Sequence, residues 1–80
     1  MFNQYLRTAM HHAKYEILPE DGTFYGEISK CNGVYANAPT LEKCREELEE
    51  VLEEWLLFRI SQSLPIPKID GIALKVKKVA

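Results

Sequence analysis

Asn37-Ala-Pro-Thr-Leu-Glu-Lys-Cys-Arg-Glu-Glu-Leu-Glu-Glu-Val-Leu-Glu-Glu-Trp-Leu-Leu-Phe-Arg-Ile60 decides how the rest of this chain must fold. Thr40 follows Pro39 and stands where a helix N-cap belongs, with its hydroxyl able to accept from an orphan backbone N–H of the first turn. Glu42 then sets negative charge at the positive end of the helix dipole. The full capping box is missing, because the position three after Thr40 is Lys43 rather than Glu or Gln. Leu41, Cys44, Leu48, Val51, Leu52, Trp55, Leu56 and Arg59 recur at steps of three and four, which makes one continuous stripe. Glu46, Glu47, Glu49, Glu50, Glu53 and Glu54 fill the opposite side. Such a helix needs a sheet or a second helix against its stripe, and the flanking segments must supply it.

The segments before it switch to a period of two. Tyr15 and Ile17 alternate with Lys14 and Glu16, which predicts a strand. Pro19-Glu-Asp-Gly22 is a turn, since Pro fixes φ and Gly accepts positive φ. Thr23-Phe-Tyr-Gly-Glu-Ile-Ser29 reads as the returning strand, with Phe24, Gly26 and Ile28 on one face. Asn32-Gly33 is the strongest turn signal of the chain. Val34-Tyr-Ala-Asn-Ala38 is a third strand, and its small residues Ala36 and Ala38 would let the helix lie close. After the helix, Leu64-Pro-Ile-Pro67 cannot continue helical and predicts an extended connector. Ile72, Leu74 and Val76 alternate with Ala73, Lys75 and Lys77 as a final strand. At the other end, Phe2, Tyr5, Leu6, Ala9, Met10 and Ala13 fit a short amphipathic helix, with an extended strand as the alternative.

The expected fold is therefore α+β in two layers: a three-stranded antiparallel sheet, one long helix and a last strand (β-β-β-α-β), with the optional N-terminal helix. With 80 residues the chain makes a single domain over 1–80 with its core in 14–79. A domain of this size buries only about 60% of its extended-chain surface, so help from oligomerisation or a partner is expected.

Net charge is −2 over the whole chain, but unevenly spread. Residues 40–62 hold seven Glu against Lys43, Arg45 and Arg59, a net of −4. Residues 68–80 hold Lys68, Lys75, Lys77 and Lys78 against Asp70, a net of +3. A nucleic-acid-binding domain carries a dominant basic stripe, whereas the long helix here would repel phosphate. The basic end reads as a lysine-blunted edge strand. The two cysteines, Cys31 and Cys44, make no disulfide framework, and no signal peptide or membrane span is visible, so a cytoplasmic, reduced protein is expected.

Catalytic constellations are absent from the sequence. His11 and His12 are adjacent and point apart on a helix, so they do not share a metal from one face. No HExxH, CxxC, phosphate-binding glycine loop or nucleophile elbow occurs. Glu20, Asp21 and Glu27 solvate a turn and an outer strand face. Neither cofactor nor metal is expected. Trp55 reads first as the largest core anchor and second as an interface residue. Leu57 and Phe58 lie off the apolar stripe and suggest a second contact surface, either under the Pro65–Pro67 segment or against another subunit.

Tyr15-Glu-Ile17, the Pro19–Gly22 turn, Phe24-Tyr-Gly-Glu-Ile28, Cys31-Asn-Gly-Val-Tyr-Ala36, Thr40-Leu-Glu42, Glu54-Trp-Leu56 and Ile66-Pro67 together resemble the HicB-type antitoxin family and its small relatives, over roughly residues 14–67. The usual Gly before the Thr is replaced by Ala38-Pro39, and the usual Glu-Ala after Thr-Leu-Glu by Lys43-Cys44. The resemblance implies a reduced RNase H-like layer without nuclease activity of its own. It also implies a protein that binds and occludes a small basic RNA-cleaving toxin. Ending at Ala80, about where a DNA-binding segment would begin, the chain resembles the short members, for which direct DNA binding is not expected. Glu46, Glu50, Glu53, Leu57 and Phe58 are the expected partner-facing residues, with a homo-oligomer as the expected assembly. The rival expectation is a self-associating regulatory module without a toxin partner. A weaker third is a degenerate hydrolase that gathers carboxylates around a divalent metal.

Overall fold

The structure, a computed structural model, describes residues 2–74. Its elements run α1 (Phe2–His11), β1 (Lys14–Ile17), β2 (Phe24–Glu27), β3 (Tyr35–Ala38) and α2 (Leu41–Ser61). The three strands form one antiparallel sheet in the order β1-β2-β3, so the fold is α+β as expected. The first dozen residues resolve to the helix rather than the strand. Docking explains this: a helix so short is marginal alone, and Tyr5, Leu6 and Ala9 are buried against the rest of the molecule.

Two turns set the sheet. Leu18 donates its N–H to the Thr23 carbonyl at 2.8 Å, and Gly22 donates back to the Leu18 carbonyl at 2.9 Å. Gly22 has φ +70°, the left-handed value that favours glycine there. Asp21 Oδ1 accepts from both the amide and the hydroxyl of Thr23, at 3.0 and 2.7 Å. Between β2 and β3 the chain does more than a two-residue hairpin. Ile28 donates to Val34 across the opening, Cys31 donates to Ile28, and Val34 donates to Cys31. This compact loop buries Ile28, Cys31 and Val34. It also ends β2 at Glu27 and delays β3 to Tyr35, two residues and one residue inside the expected limits.

Register puts Phe24 opposite Ala38 and Gly26 opposite Ala36. These four residues therefore share a face, and α2 packs on that face across β3 and β2. The small side chains bring the helix so close that the Cys44 thiol donates to the Ala36 carbonyl at 3.6 Å. Cys44, Leu48, Leu52 and Leu56 are fully buried along the inner stripe. The outer strand β1 is left uncovered: all four of its residues are exposed, Ile17 by 61%.

The N-cap is formed as read. Thr40 is extended, and its Oγ1 accepts from the Lys43 amide at 3.1 Å. Thr40→Ala is expected to destabilise the domain by about 1 kcal/mol, measured as a lower urea midpoint at unchanged slope. Thr40→Ser should recover most of the loss.

After α2, Ile69 and Ile72 make an isolated bridge. The two residues between them, Asp70 (φ 50°) and Gly71 (φ 76°), both have the positive φ of a type I′ turn, for which Asp-Gly is a preferred pair. The last strand expected over 72–77 is not seen in its described part, where only Ile72 is bridged, and residues 75–77 lie outside the described residues. Among the described residues, no helix is long and apolar enough to cross a membrane.

Candidate interaction surface

The side of α2 turned from the sheet is where exposed charge concentrates. Glu42, Glu46, Glu49, Glu50, Glu53 and Glu54 are all exposed. Helical spacing of four, three and four residues aligns Glu46, Glu50, Glu53 and Leu57 in one row. Leu57 is 52% exposed, so the row ends in an apolar tip. Phe58, 58% exposed, belongs to the neighbouring row with Glu47, Val51 and Glu54. Four of the five expected partner-facing residues therefore lie in line, and the fifth stands one row away. Among the described residues the only carboxylate with a basic side-chain nitrogen within 4.0 Å is Asp70, whose Oδ2 lies 2.8 Å from His12 Nε2, so the α2 carboxylates have no cationic partner at that range.

Leu57 and Phe58 do not pack under the Pro65–Pro67 segment. That segment is held instead by Arg59, whose Nε donates to the Pro65 carbonyl at 2.7 Å, and by Tyr5, whose hydroxyl donates to the Pro67 carbonyl. Trp55 is neither a fully buried anchor nor a free interface residue. It is half-buried, donates from Nε1 to the Asn32 carbonyl at 3.1 Å, and carries the Arg59 guanidinium 4.7 Å from its ring centroid. It closes the β2–β3 loop from above.

The titratable side chains inside the molecule are arranged for packing. Burial pushes the thiols of Cys31 and Cys44 above the ordinary value of 9.0, for Cys31 against a smaller, opposing effect of its neighbour Tyr5. Burial likewise pushes the Tyr5 phenol well up. In each case the folded state holds its proton more tightly than the unfolded chain. Their contribution to stability is then complete below pH 9.0 and declines as pH rises through the shifted values. Native protein near neutral pH should resist a thiol-labelling reagent, and its Tm should fall steadily on the alkaline side; rapid labelling of the folded state would contradict this.

His11 is exposed, and His12 Nε2 lies 2.8 Å from Asp70 Oδ2. Among the described residues, no group of three His, Cys, Asp or Glu side chains comes together to hold a metal ion. Asp21 is turned into its own turn, and the Thr23 hydroxyl and amide hold its carboxyl below the usual range. Glu27 accepts a long 3.4 Å bond from Tyr25, and Tyr25 stacks on Tyr35 with ring centroids 6.3 Å apart. This aromatic pair on the open face escaped the sequence reading. Its signal was present, because Tyr25 and Tyr35 follow the same alternation that placed Gly26 and Ala36 on the other face.

A family model described as UPF0150-like matches residues 4–67. No curated protein matches the chain. Among solved structures, the crystal structure of TTHA0281 from Thermus thermophilus is similar, with 33% identity and a TM-score of 0.88 over 96% of this chain and 95% of that one.

Proposed function

The chain belongs to the UPF0150-like family, and from that premise we propose that it is a non-catalytic interaction domain of the HicB-like antitoxin type. In this reading it binds a small basic RNA-cleaving toxin and occludes it. The observation that carries the reading is the row Glu46, Glu50 and Glu53 ending in exposed Leu57. A single-signed row on a rigid helix speeds encounter with a basic partner and disfavours acidic ones. Leu57 and, one row over, Phe58 supply apolar area that charge alone lacks. The order of motifs shared with HicB-type antitoxins over residues 14–67 supports the same choice. Nucleic acid is a poor partner for this side of the helix, since its phosphates meet carboxylates.

The test is co-expression and pull-down at physiological salt with any small basic protein that an adjacent reading frame encodes. The wild-type chain should retain that protein and relieve its arrest of growth. Glu46→Lys, Glu50→Lys and Glu53→Lys combined should weaken retention by about tenfold or more while leaving the far-ultraviolet dichroism unchanged. Recovery of no basic protein, or equal retention by the triple variant, would sink the reading.

A further inference from the structure

We infer that the uncovered strand β1 is a self-pairing edge, and that a second copy of this chain adds its own β1 antiparallel to it to make one continuous sheet. The hydrogen-bond phase of the hairpin sets up the edge. Leu18 is bonded to Thr23 across β1 and β2, and bonded pairs alternate along an antiparallel ladder. Glu16 with Tyr25 and Lys14 with Glu27 are then the inward-bonded pairs. The backbone N–H and C=O of Tyr15 and Ile17 turn outward, away from β2. Among the described residues nothing pairs with them, and an open row of this kind is a template for another strand.

The side chains choose the occupant and its register. Lys14 and Glu16 are both exposed and flank Tyr15. If Tyr15 lies opposite Tyr15 of a second copy, Lys14 lies opposite Glu16 of that copy, and Glu16 opposite Lys14. Both cross-strand pairs are then of opposite charge, on the open face, at the close spacing of non-bonded pairs. Ile17, 61% exposed, lies opposite Ala13 on the helix side, where Tyr15 also lies. Sliding the strands by two residues sets Glu16 against Glu16 and replaces attraction by repulsion. The edge is thus self-complementary in one register and self-repelling in the next. The two-fold symmetry of the pairing closes the assembly at two copies.

The experiment is sedimentation velocity of the full chain over a range of concentrations. Wild type should dimerise. Lys14→Glu and Glu16→Lys should each weaken the dimer by about tenfold or more, because each turns both symmetry-related pairs repulsive. The double variant restores opposite charges and should return to within about threefold of wild type. Ile17→Pro removes an outward N–H that the subunit's own ladder does not use, so it should give a helical, folded monomer. A wild-type monomer at every concentration would overturn the inference, as would Glu16→Lys alone strengthening the dimer. So would a monomer whose Tyr15 and Ile17 amides resist hydrogen exchange, for then residues of the same chain cap the edge. Dimerisation is read without any toxin present, so it stands or falls apart from partner binding.

Discussion

Leu52→Ala should lower the unfolding free energy by about 3–4 kcal/mol, a large share of the stability of so small a domain. Leu52 is fully buried between Leu48 and Leu56 on the inner stripe of α2. Removing its branched end takes away transfer free energy and leaves a void that a close-packed interior cannot refill. A chain of this length has a total stability of about 4–12 kcal/mol, so the variant should be close to half unfolded at modest denaturant. The measurement is a urea titration followed by helical dichroism, with a lower midpoint and unchanged slope. Leu57→Ala is the matched control, because Leu57 points outward on the same helix; its change should stay within about 0.5 kcal/mol. A Leu52→Ala loss no larger than that of the control would mean that the stripe is not the core.

The second large effect comes from a residue with no side chain. A Cβ at Gly26 would lie 2.8 Å from two ring carbons of Tyr15 and 3.2 Å from Cys44 Sγ. Tyr15 is 36% exposed and its ring can swing aside, but Cys44 is fixed in the buried stripe and bonded to Ala36. Gly26→Ala therefore mainly displaces Tyr15. Gly26→Val adds two methyl groups and drives them at the helix, which must lift from the sheet. Its cost should be about 2–3 kcal/mol despite the better strand propensity of Val. Cys44→Ala in the Gly26→Val background should recover part of the loss, giving a favourable coupling in a double-mutant cycle. Additive behaviour of the two changes would show that the close approach is not what limits position 26.

Much of this fold was legible because its signals are local. The stripe from Cys44 to Leu56, the Thr40 cap, the Pro19–Gly22 turn and the small-residue face of β3 each follow from spacing or from one residue's dihedral freedom. What was not legible depends on contacts distant in sequence. Periodicity predicted the strand over Tyr15 and Ile17 but could not show that α2 covers β3 and β2 and stops short of β1, which leaves both side chains exposed. Nor could it tell that Trp55 would reach back to Asn32, or that Asp70-Gly71 would turn the chain so that Asp70 meets His12. The Asp-Gly pair itself was a readable turn signal. The row Glu46, Glu50, Glu53 and Leu57 follows from helical geometry alone. Phe58 was grouped with it because both residues interrupt the polar side, although successive helical residues diverge by about 100°.

The contacts from Tyr5 to Pro67 and from His12 to Asp70 join residues 62 and 58 positions apart. They act as a buckle between the opening helix and the strap that follows α2. During synthesis α1 emerges early, and although it also packs on α2, these two contacts cannot form until the strap has been made, so the buckle fastens after the helices. A fragment cut to residues 14–67 would lose α1 from one side of the buckle and the Asp70 turn from the other, and would expose the wall of the core that Tyr5, Leu6 and Ile69 now cover.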